Sequence, residues 1–362
     1  MARSAAQIRA YQGAALFTYG FRPFFLFGAA WAALCVLIWL PMLAGRITLP
    51  THFSALEWHV HELVFGYVPA VIAGFLLTAV PNWTGRLPVV GPRLMRLFAV
   101  WVAGRVALLT SAWIGGPIAA VIDVAFLVAL AGVLAREIIA GRNWRNLKVV
   151  IALGVLTLGN VLFHLEALDL VSGSYGQRIG IATTVLLVML IGGRIIPSFT
   201  RNWLARRPGK RLPTPFNTLD VIIMVESGAV LALWVAMPDS VVTGWLAALV
   251  GLLNVVRLMR WAGDRTLSEP LVLVLHVGYA FVPLGFVATG IAVLRPDLLP
   301  ATGALHAWTA GAIGVTTLGV MTRVTLSETG RPPKAPRASA CRLRPCGRRI
   351  AGRPSCLLRI QH

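Results

Sequence analysis

The sequence predicts an all-α membrane protein, a polytopic transmembrane helix bundle of about ten spans with both termini on the cytoplasmic side. Three observations carry that prediction. The composition is 57% hydrophobic and only 13% charged, with a mean hydropathy of +0.76, whereas soluble domains carry about 25% charge. The apolar runs reach the ~20 residues that a bilayer core requires. Lys and Arg are distributed unevenly between alternate connections.

The runs fall at 23–44, 57–80, 95–115, 117–139, 147–167, 177–198, 217–237, 241–259, 270–294 and 301–324. Backbone groups in lipid must be satisfied within the chain, so runs of this length are helices. The first is too long for a signal-peptide core and no clear cleavage site follows it, which predicts a retained span. Twelve Trp and 35 Gly also suit a membrane protein, with indoles at interfaces and glycines where helices approach.

Orientation follows from the basic residues. The N-terminal segment and the even-numbered connections hold 18 Lys and Arg. The odd connections hold only Arg46, Arg178 and Arg295. By the positive-inside rule both termini are cytoplasmic, which requires an even number of spans. The net charge of +20 is therefore largely an orientation signal, scattered in short clusters, and excludes a nucleic-acid binder.

The expected organisation is a cytoplasmic N-terminal segment 1–22, a transmembrane domain 23–329 and a basic tail 330–362. Residues 331–362 hold eight Arg, one Lys and no acidic residue. Such a segment either binds anionic lipid or is a chain end translated out of frame; the second reading is preferred, and a disordered tail follows on both. Cysteine says little: Cys35 lies in the first run, Cys341, Cys346 and Cys356 in the tail. There is no paired zinc motif and no Cys-x-x-Cys-His, so any haem is held non-covalently.

Ionisable residues inside spans are expensive and mark functional sites by default. The densest constellation opens the second span: Glu57-Trp58-His59-Val60-His61-Glu62. On a helix His59 and His61 lie about 200° apart and cannot chelate one metal together. Glu57 and His61, at i and i+4, share a face, so Glu57 is placed to orient the imidazole. Gly66, Ala70 and Gly74 form a small-residue stripe for a helix or a flat macrocycle, and Pro69 predicts a kink. With an N-in topology His59, His61, His164 and His306 converge on one outer level from three helices. Histidine is the commonest metal ligand and also serves haem iron, whereas outer-end histidines also sit at wet interfaces with no ligand. His276 reads as a hydrogen-bonded packing residue, and His52, in a loop, and His362, in the tail, are discounted. The depths of Arg105 and Asp123 allow an ion pair across a short hairpin. Glu226 sits near a midplane without an evident partner. Arg194 either snorkels to the inner interface or, like Arg105, pairs with a haem propionate.

Several stretches resemble the NnrS family. They are Tyr19-Gly20-Phe21-Arg22-Pro23-Phe24-Phe25, Trp58 to Tyr67, Ala73 to Arg86, Gly192 to Asn202, and His306 to Ala312 with Met321-Thr322-Arg323. The resemblance covers residues 15–330. It implies a bacterial inner-membrane protein that binds haem b and copper and acts in the response to nitric oxide and in denitrification. Members usually have twelve spans, so ten spans before a basic tail favour the out-of-frame reading of that tail. The family does not say which histidine holds which metal. From depth and spacing, His61 and His306 are the expected ligands, followed by His59 and His164, with nitric oxide as a ligand of the metal. The alternative is a transporter of a metal ion or small metabolite, using Arg105, Asp123, Glu226 and His276 as a polar path. The absence of an evident internal repeat weighs against it. An oxidoreductase of terminal-oxidase type would need a more crowded set of histidines deep in the bilayer.

Overall fold

Each of the ten apolar runs forms a helix in the computed structural model, which describes residues 11–328 apart from Pro208 and Lys210. The helices are α1 (Phe21–Leu43), α2 (Ala55–Thr84), α3 (Pro92–Leu109), α4 (Gly116–Ala140), α5 (Trp144–Ala167), α6 (Tyr175–Leu204), α7 (Thr218–Ala236), α8 (Val241–Met259), α9 (Pro270–Leu294) and α10 (Ala301–Ser327). Among the described residues there is no strand. All these helices but α3 are long and apolar enough to cross a membrane. The exception is 18 residues long and carries Arg93, Arg96 and Arg105. It packs between its neighbours as the third of the ten expected spans. The basic tail lies outside the described residues.

Local chemistry sets the ends. Ser54 caps α2 by accepting from the Glu57 N–H, while the Glu57 carboxylate accepts from the Ser54 N–H at 2.8 Å. This reciprocal pair holds Glu57 at the helix start, so it does not orient His61 as the i, i+4 spacing predicts. Gly85 closes α2 in the left-handed conformation at φ +68°.

Helices pack where glycine removes the side chain. A Cβ on Gly251 of α8 would lie 2.6 Å from Val287 of α9, and one on Gly290 would lie 2.7 Å from the Gly244 carbonyl. Close approach of this kind replaces the hydrophobic effect as the cohesive force between helices in lipid. The stripe on α2 works the same way. Gly74 is covered by Phe25 of α1 and Gly66 by the Arg105 guanidinium of α3. Protein fills that stripe, so it is not the seat of a macrocycle.

The most apolar stretch of α2 is 78% buried, against 17% for α1, so α2 runs through the centre of the bundle. Two spans are not α-helical throughout: α2 is π-helical over Glu62–Tyr67 and α10 over Ala307–Val315. Pro69, which lacks a donor, follows directly on the first of these. The expected disturbance at Pro69 takes the form of this widened turn. The Gly66 carbonyl accepts from the Trp101 indole at 2.9 Å. The two widened spans meet where Tyr67 and Thr317 share a hydroxyl hydrogen bond of 2.8 Å.

Candidate metal centre

His61 and His306 stand at the two junctions where α-helix gives way to π-helix. A π turn adds a residue and re-aims the side chain at its edge, and such turns recur at functional sites. The two histidines nonetheless face different surroundings.

His61 is fully buried in a polar cluster assembled from α1 to α5. Its Nε2 lies 2.9 Å from Asn160 Oδ1 and 3.3 Å from Asp123 Oδ2. Asp123 Oδ2 also accepts from Asn160 Nδ2 at 2.8 Å and meets His164 Nε2 at 3.1 Å. Arg105 donates through Nη1 to Glu62 at 2.7 Å and through Nη2 to the other oxygen of Asp123. The Trp31 indole donates to Glu62 at 2.5 Å. The ion pair expected between Arg105 and Asp123 is therefore present, as part of a larger network. His61, Glu62, Asp123 and Asn160 are at most 1% exposed, and Phe53, Phe65 and Phe163 wall the His61 ring at 5.2–5.4 Å.

Charge balance limits what this cluster can hold. Glu62 and Asp123 bring two negative charges, and Arg105 supplies one positive. Buried charges persist only when compensated, so one further positive charge belongs beside Asp123. A proton on His61 supplies it, and so does a metal cation. The ligand atoms of His61, Asp123 and His164 lie within 4.8 Å of one another, close enough for one ion. Two imidazoles and a carboxylate suit copper, iron or zinc. The Asp123 carboxylate and Asn160 Oδ1 only accept, so each neutral ring carries its proton on Nε2, the atom a metal ion would take in its place. Nδ1 of each ring is buried without a hydrogen-bond partner, that of His61 lying 3.5 Å from Glu62 Oε1. The donor set thus fits a metal ion. It does not fit haem, because phenylalanines and Arg105 fill the volume around it.

His52, discounted in the sequence, stands 6.5 Å from His164, ring to ring, at the outer edge of this cluster. Its backbone N–H donates to Ser111 Oγ at 3.0 Å, which fixes the loop. Burial, then the charges of His164 and His61, push the His52 imidazole below its ordinary range and keep it neutral. Only tertiary packing brings it here. Asn160 was missed, although it precedes His164 by one helical turn, and Glu62 was noted beside His61 without a role.

His59 and His306 form a separate outer pair. His59 turns away from His61 to stack on Trp39 of α1 at 4.0 Å, and His306 is near enough to act on it electrostatically. His306 is exposed and its Nδ1 lies 2.7 Å from the Thr302 carbonyl. A carbonyl only accepts, so Nδ1 carries the proton and Nε2 keeps its lone pair for a ligand. An open ring of this kind would be able to ligate a haem iron. The four histidines thus divide into a buried pair, His61 and His164, and a more open pair, half-buried His59 and exposed His306.

The remaining candidates are dispersed. Arg194 is exposed on the last turns of α6 and bonds Asn146 at 3.3 Å, away from both pairs. His276 accepts or donates with Thr200 at 2.8 Å, a packing role as expected. Glu226 faces outward from the bundle. Arg105 with Asp123, His276 and Glu226 therefore line no common path.

The sequence profile described as NnrS protein matches residues 15–342. The chain belongs to the NnrS family. The buried His61–Asp123–His164 cluster lies within the matched residues. No curated protein and no solved structure matches the chain. Family membership makes it a multi-pass membrane protein of the nitric-oxide response.

Proposed function

We propose that this protein binds copper and haem b in a bacterial inner membrane and acts on, or in response to, nitric oxide during nitrosative stress and denitrification. The observation that carries the reading is the buried pair of imidazoles and a carboxylate, His61, His164 and Asp123, at the α-to-π junction of the central helix. These three would hold copper, and His306 Nε2 would hold haem iron, with His59 beside it.

Copper held by these residues would bind nitric oxide as a ligand. The protein's own groups do the rest. Arg105 holds Asp123 and Glu62 in place, Asn160 bridges Asp123 and His61, and the phenylalanines exclude water. His52 stands at the outer approach as a neutral base. Because a metal must displace protons from its ligands, copper uptake weakens as the pH falls. The transport reading has less support, because its proposed polar path is interrupted by packing.

Metal analysis and an optical spectrum of the purified protein, before and after adding nitric oxide, test the reading. The wild type is expected to contain copper and a Soret band. His61→Ala is expected to lose copper and keep haem, and His306→Ala to do the reverse. A metal-free wild type without a Soret band, or unchanged contents in both variants, would overturn it.

A further inference from the structure

The arginine-rich end of the α3–α4 pair holds a groove that neither histidine site uses. A cavity of about 700 Å³ opens among the 85–92 loop, the start of α3 and the end of α4. It continues into a second of about 340 Å³ that runs along the two helices. Arg93, Arg96, Arg136 and Glu137 line both. Glu137 is engaged by Arg86 at 2.5 Å. Arg93, Arg96 and Arg136 form no ion pair among the described residues, so three positive charges face one groove uncompensated. Along the helices the lining turns apolar, with Leu97, Val100 and Val133.

The wall that presents these charges is fixed. Gly85 and Gly91 hold left-handed turns at φ +68° and +62°. The Gly91 N–H donates to the Phe17 carbonyl at 2.9 Å, and Asn143 Nδ2 to the Trp83 carbonyl at 2.5 Å. Arginines that merely set topology need only lie on the correct side of the membrane. These three converge from two helices on one cleft that is cationic at its mouth and apolar toward the membrane interior.

We propose that this groove binds an anionic phospholipid, its phosphate at Arg93, Arg96 and Arg136 and an acyl chain along Val100 and Val133. Charge and polarity together select that occupant. A soluble phosphate would satisfy the mouth and leave the apolar length uncovered, whereas a lipid satisfies both, on the face that the Lys and Arg count assigns to the cytoplasm.

The test uses the full chain in phosphatidylcholine nanodiscs containing phosphatidylglycerol as minority lipid. Native mass spectrometry after detergent extraction then reads the retained lipid. The wild type is expected to retain phosphatidylglycerol selectively. The groove triple variant Arg93→Gln, Arg96→Gln, Arg136→Gln is expected to bind it at least about tenfold more weakly. A charge-matched triple, Arg142→Gln, Arg145→Gln, Arg206→Gln, is expected to retain it. The basic tail is the same in all three and cancels. Should the groove triple fail to fold, the thermal stability of the wild type decides: phosphatidylglycerol must raise it and phosphatidylcholine must not. Equal loss in both triples, no stabilisation by phosphatidylglycerol, or its displacement by inorganic phosphate alone would overturn the proposal.

Discussion

Two buried charge networks lie in the bundle, one in each half. In the first half, Glu62, Arg105, Asp123, His61 and His164 gather under the outer surface. In the second, Asp220 of α7 accepts from Arg257 of α8 at 3.1 Å and pairs with Arg260 at 3.2 Å. Arg257 also donates to the Tyr279 hydroxyl at 2.6 Å and lies over the Trp261 ring. Both networks are buried and both join several helices. They differ in whether the cations can give up a proton. A guanidinium stays protonated and offers no lone pair, so the second network can only brace helices. An imidazole exchanges a proton for a metal, so the first has a second use. Burial and charge alone do not mark a site; an imidazole nitrogen facing a carboxylate, where a proton and a metal ion can replace each other, does.

Breaking each hub tests that contrast. Asp123→Ala leaves Arg105 only Glu62 and takes the carboxylate acceptor from Asn160, His61 and His164 together. It is expected to cost about 5 kcal/mol, the upper end for breaking a buried pair, and to abolish copper binding. Unfolding in detergent with metal analysis reads both effects. Arg257→Met leaves Asp220 with Arg260, so about 3 kcal/mol is expected, with copper and haem contents unchanged. Loss of metal from this variant would erase the distinction between the two networks. The smallest change sharpens it. A Cβ at Gly66 would stand 2.3 Å from Arg105 Nη1 and 2.9 Å from Glu62 Oε2. Gly66→Ala is expected to cost about 1–3 kcal/mol by overpacking. It is also expected to weaken copper binding without touching a ligand, since it moves the guanidinium that holds Asp123.

The helices were legible because lipid leaves the backbone no other option, and α9 occupies the expected residues 270–294. The depth argument also placed His61 and His164 at one level, because rise per residue converts position into height. It could not supply azimuth. Asp123 was expected to pair with Arg105, and it does, yet its contact with two histidines depends on how α4 rotates against α5. His52 shows the same gap: a loop residue has no periodicity to read, and tertiary hydrogen bonds between residues 50–52 and Ser111 and Ala112 bring it to His164. Glu57 was assigned by spacing to His61, whereas the local competition of the helix cap wins. Glu226, placed on a polar path in the transport alternative alone, faces outward.

The π-helical turn in α2 has a consequence for how this centre is inherited. Such a turn is one residue more than an α-helix needs over the same rise, and each residue of a helix advances the chain by about 100°. Deleting a single residue between Leu63 and Phe65 would let the span close into regular α-helix. His61 and Glu62 would then swing about 100° about the axis relative to Val68–Thr84, away from Asp123 and Arg105, though every ligand remained in the chain. Reading frame within one membrane helix, as much as the identity of its histidines, sets whether the two carboxylates and two imidazoles ever meet.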